Sequence, residues 1–141
     1  MGATAESAAE KSLASRLGLR PGQLVQEFGY DDDVDHDLRA AIEDLTGTEI
    51  ADEESVDVVD AVLFWWRDGD GDLFDALVDA LTNLAEGGVV WLLTPKSGRP
   101  GHVESSDIED VAPTAGLHAT STISACQDWT GTRLASPRGR R

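Results

Sequence analysis

The sequence predicts an α/β domain, a three-layer sandwich in which a mainly parallel sheet ends in an antiparallel hairpin. Three features support this class. Ala61 to Trp66 is an unbroken apolar run that passes at once to Asp68, Asp70 and Asp72, as when a strand buried on both faces hands over to a helix start. Gly88 to Thr94 is a second such run, stopped by Pro95. Between them Leu73, Phe74, Leu77, Val78, Leu81 and Leu84 form one broad apolar stripe at helical spacing, closed by Gly87-Gly88.

From the amino end, Thr4 to Leu17 is rich in Ala, Glu, Lys and Leu and is closed by Gly18, so a leading helix is expected over residues 1–17. After the Leu19-Arg20-Pro21-Gly22 turn, Leu24, Val25, Phe28 and Tyr30 read as a first strand that stops at an aspartate cluster. Leu38, Ala41, Ile42 and Leu45 then recur at helical spacing ahead of Gly47. Thr48 to Ala51 reads as a short strand, and Asp52 to Asp57 as an acidic connection.

Beyond Pro95, Lys96 to His102 is a loop by composition. Ser105 or Ser106 can cap a short helix through Ile108 and Val111, limited by Pro113. Ala119, Ile123 and Trp129 share one parity and Thr120, Thr122 and Ser124 the other, with Thr130-Gly131 as the turn into Thr132 to Ser136. Strands alternating with helices before a closing hairpin give the order of a small Rossmann-like domain over residues 18–137, followed by a basic tail at 138–141.

The 141 residues carry a net charge of −16, so nucleic-acid phosphate and anionic membranes are excluded as partners of the body. The acid is segregated: fourteen Asp and Glu fall between Glu27 and Asp60, against one base, Arg39. Cys126 is the single cysteine, which excludes an internal disulfide and a CxxC pair, and a small apolar filler within a strand is its expected role. The longest apolar run is too short to span a bilayer and no secretory leader pattern opens the sequence, so a cytoplasmic location is expected.

Ligands of open α/β sheets sit beyond the carboxyl ends of the strands, which directs attention to Asp31–Asp37, Arg67–Asp72 and Pro95–His102. Counted from Gly29 to Asp37, the first loop has one glycine and five aspartates, a poor cradle for a dinucleotide or for the usual pose of S-adenosylmethionine. Asp68, Asp70 and Asp72 open like a calcium loop, but Leu73 stands where a glycine should make the sharp turn; helix capping by Asp72 is the better reading. No nucleophile elbow and no paired histidines are present, so no catalytic residue and no metal or cofactor is assigned. Lys96, Arg99 and His102 form the one basic loop on this edge. Trp65 and Trp66 should face opposite sides of the sheet, leaving Trp129 as the expected exposed aromatic.

The blocks Val59 to Asp72, Gly88 to His102 and Ala112 to Leu117, with Trp129 before the last strand, resemble an uncharacterised actinobacterial family, domain of unknown function 3052. The resemblance runs from about Leu17 to Pro137 and implies a compact Rossmann-like, methyltransferase-shaped domain with no established activity, cofactor or catalytic residue. The function expected is a non-catalytic interaction or regulatory module. Asp31, Asp33, Asp68, Asp70, Lys96, Arg99 and His102 are its candidate ligand or partner edge, and a protein is its expected partner. The alternative is a small-molecule or S-adenosylmethionine-type enzyme using the same aspartates.

Overall fold

The computed structural model describes residues 14–136; the expected leading helix up to residue 13 and the basic tail at 138–141 lie outside them. Five strands, β1 (Val25–Phe28), β2 (Val59–Trp65), β3 (Leu84–Pro95), β4 (His118–Ser124) and β5 (Trp129–Ala135), form one sheet in the order β1-β2-β3-β5-β4. Helix α1 (His36–Thr46) covers one face, and α2 (Leu73–Ala80) and α3 (Ser105–Val111) cover the other. β1–β2 and β2–β3 are parallel, whereas β3–β5 and β5–β4 are antiparallel. The sheet is therefore mixed rather than mainly parallel. A short connection can only join antiparallel neighbours, and β5 returns between β3 and β4 to run against both.

Strict alternation explains the apolar runs. Ala61, Leu63 and Trp65 of β2 pack with Leu38 and Ile42 of α1, while Val62, Phe64 and Trp66 pack with Leu77 and Ala80 of α2 and Ile108 of α3. From Ala61 onward both faces are buried, so past the exposed Asp60 no polar residue interrupts the strand, and the two tryptophans do point to opposite sides. The apolar stripe of α1 ends where Gly47, at φ +83, returns its amide to the carbonyl of Glu43.

Four local expectations are corrected. The helix begun at Leu73 stops at Ala80 rather than running to Leu84, because Leu84 pairs with Val59 and starts β3 early. Thr48 to Ala51 contributes a single parallel bridge, Ala51 to Gln26. Glu104, whose side chain makes no capping bond, stands at the start of α3 in place of Ser105 or Ser106. The hairpin turns at residues 125–128, and Thr130-Gly131 lies inside β5, where a Cβ on Gly131 would come within 3.2 Å of Leu93 and Trp91. No helix among the described residues is long and apolar enough to cross a membrane.

Candidate functional site

The loops after β1, β2 and β3 converge on the carboxyl edge, and Arg67 lies at their centre. Its side chain is 15% exposed. Nε donates to Asp33 Oδ2 at 2.9 Å, and Nη2 bonds the other oxygen of the same carboxylate in a bidentate pair. Nη1 donates to the carbonyl of Gly29 at 2.8 Å and to that of Trp65 at 3.1 Å, and lies 3.4 Å from Asp70. The guanidinium carbon stands 5.2 Å from the centre of the Trp129 ring. Arg67 thus ties the ends of β1 and β2 to the hairpin.

The hydrogen bond from Arg67 holds the Asp33 carboxyl below its ordinary range, outweighing a smaller opposing effect of burial. Gly29, the one glycine of the first loop, is also used internally. At φ +75 its missing Cβ leaves room for the carbonyl of Trp65, with which a side chain would collide. Its amide donates to Glu53 Oε2 at 3.2 Å.

A second guanidinium cluster lies on the α1 side. Arg39 makes a bidentate pair with Glu27 at 2.7 and 2.9 Å, and Glu27, 5% exposed, also accepts the indole N–H of Trp65 at 2.8 Å. The Glu27 hydrogen bonds raise the pKa of Arg39 further. Trp65 meets Trp129 edge to face at 4.9 Å, so the two clusters share one aromatic wall. Tyr30, half exposed, lies under Arg39 at 4.9 Å and opens a cleft of about 580 Å³ lined also by Glu27, Asp52, Glu53 and Glu54.

The structure brings the sequence-selected residues to one edge but engages most of them internally. Asp33 and Asp70 both grip Arg67. Asp31 accepts the amide of Asp32 at 2.8 Å, and exposed Asp68 is held through its amide, which donates to the carbonyl of Gly101 at 2.9 Å. Lys96 Nζ donates to the Ser124 hydroxyl at 2.6 Å, and Arg99 faces Asp128 at 3.2 Å. His102 places Nδ1 2.9 Å from the carbonyl of Pro95 and Nε2 3.1 Å from Glu104. Asp35 and Asp72 cap α1 and α2, accepting from Leu38 in the first case and from Phe74 and Asp75 in the second. Among the described residues no three His, Cys, Asp or Glu side chains gather as metal ligands.

Two expectations fail here. Trp129 is 3% exposed, not an exposed aromatic, because it forms the floor beneath Arg67. Cys126 lies in the hairpin turn instead of a strand, buried, with its thiol pushed up to about 12 by burial and then by Asp35. Arg67 itself was passed over by sequence reasoning. Its signal was position: a lone base between the buried Trp66 and a loop of three aspartates.

Comparison with known proteins bears on the family and the fold. The model of a family described as "Protein of unknown function (DUF3052)" matches residues 14–138. Uncharacterised proteins of Mycobacterium tuberculosis and Mycobacterium bovis are 51% identical over 129 residues, covering 92% of this chain and 81% of each relative. A SAM-dependent methyltransferase from Aquifex aeolicus superposes with a TM-score of 0.60 at 12% identity, covering 89% of this chain and 88% of that one. A methyltransferase from Pyrococcus furiosus gives 0.56 at 12% identity, covering 92% and 82%. At such identities the likeness is one of fold.

Proposed function

The chain belongs to the DUF3052 family of proteins of unknown function, and on that premise we propose that it is a non-catalytic interaction or regulatory module on a degenerate Rossmann-like fold. The observation that supports this most is the filled carboxyl edge. Where the fold would admit a ligand, Arg67 occupies the centre, its donors spent on Asp33, Asp70 and two backbone carbonyls, and Gly29 serves strand packing. A ligand there would have to displace a bidentate, half-buried ion pair.

The partner is a basic protein surface that docks on the acidic stretch from Glu27 to Asp60. Arg99, half exposed and holding Asp128 through one exposed contact, is the group of the Lys96–His102 loop readiest to exchange its partner for another carboxylate. Neither nucleic acid nor membrane fits so negative a body, and the cytoplasm is its proposed location.

Thermal unfolding against S-adenosylmethionine, S-adenosylhomocysteine, nicotinamide and flavin nucleotides and calcium tests this reading. No shift is expected. A ligand at about a hundred times its dissociation constant would add roughly 2.7 kcal/mol and move the midpoint by several degrees. Such a shift would favour the second reading, an enzyme of S-adenosylmethionine type. The cleft lined by Tyr30, Arg39 and Glu53 is the feature that supports that alternative.

A further inference from the structure

We infer that β4 is the contact edge of a homodimer, in which two copies pair their β4 strands antiparallel across a two-fold axis and join two five-stranded sheets into one. β4 is the last strand in the sheet order, so its outer edge has no strand partner among the described residues. Its side chains are largely open to solvent: from His118 to Ser124 every residue is exposed except Ile123, which is intermediate and packs against the core cluster on the α1 side. The other edge strand, β1, is buried over Val25 to Glu27 and bridged by Ala51.

Charge selects the occupant. Two copies of a chain with net charge −16 repel wherever their acidic surfaces come within a Debye length of about 8 Å at physiological salt. The hairpin from His118 to Ala135 holds one acid, Asp128, and one base, Arg133, and no Asp or Glu occurs between Asp110 and Asp128. Apart from Lys96, whose Nζ bonds Ser124 at the end of β4, it is a surface of little charge on which a copy can approach a copy, and a strand edge is complementary to its own reverse.

The edge carries one of the usual guards, a register shift at its start, and lacks the others. No Lys, Pro or inward-facing charge lies on β4. The register shift between Ala119 and Ser121 bends its first third, where Thr120 bonds Arg133, and leaves Ser121 to Ser124 as the straight pairing segment. Their hydroxyls and β-branched side chains suit cross-strand pairs.

Sedimentation velocity on the full chain, from about 5 to about 500 µM, tests the pairing through its concentration dependence. The expected species approaches twice the 15.0 kDa chain mass and survives 1 M salt, because no ion pair holds it. The double variant Ser121→Lys, Thr122→Lys, at exposed positions, sets like charges across the axis and should halve the mass while its circular dichroism spectrum shows the fold retained. Amide exchange at residues 121–124 of the unaltered chain should slow as concentration rises. A monomer at every concentration overturns the inference. So does a dimer that dissociates in salt or that the lysine variant leaves intact, or exchange at 121–124 that ignores concentration.

Discussion

The carboxyl edge of β1 and β2 and the outer edge of β4 treat polar groups in opposite ways. At the first, Arg67 is surrounded by Asp33, Asp70 and two strand-end carbonyls, over the face of Trp129. At the second, a strand without a charged residue leaves most of its side chains exposed and pairs on one side only. Charge alone therefore does not mark a contact surface. The guanidinium at the centre of the carboxyl edge is internal structure, whereas a strand without a charged residue is left open.

Substitutions sharpen that contrast. Gly29→Ala should have the largest effect, about 3–5 kcal/mol, since the added methyl collides with the Trp65 carbonyl at a positive φ; chemical denaturation measures it. Arg67→Ala should cost about 2–3 kcal/mol. The figure lies below that for a fully buried pair because the Asp33 side chain is 52% exposed. If Arg67→Ala fell within 0.5 kcal/mol of the unaltered protein, the edge would not be held as described.

Acid titration gives a third result. Asp33 has a folded pKa below 3.8, so its contribution is complete above the unfolded value and is lost as pH falls through the folded one. Denaturation below about pH 4 should therefore be gentler in Arg67→Met than in the unaltered protein. The smallest effect belongs to Arg99→Ala, within about 0.5 kcal/mol, because both partners of that pair are about half exposed.

Much of the fold was legible because burial on two faces leaves a plain signature. The runs through Leu63 and Trp91 became the central strands, and Leu38, Ala41 and Ile42 became the buried face of α1. The misses share a cause, which is that tertiary pairing overrode a local signal. Leu81 and Leu84 continue a helical stripe, yet Leu84 bonds in register with Val59. Thr130-Gly131 has turn composition, yet the glycine is there to admit Trp91 and Leu93. At the site, the sequence placed the aspartates and the basic loop on one edge but could not show how they pair. The pairing of Arg67 with Asp33 spans 34 positions, and that of Trp129 with the Asp33 carbonyl spans 96. Glu27 and Arg39 were hidden likewise, because a buried carboxylate within a strand is recognised only once its partners are in place.

The most direct measurement follows the Arg67 Nε proton and the Trp129 indole proton by NMR during titration with S-adenosylmethionine and S-adenosylhomocysteine. Both protons should be protected from exchange and keep their shifts to millimolar ligand, because the guanidinium already fills the edge. Saturable movement of both signals would show a ligand displacing Arg67 and would contradict a self-filled, non-catalytic edge.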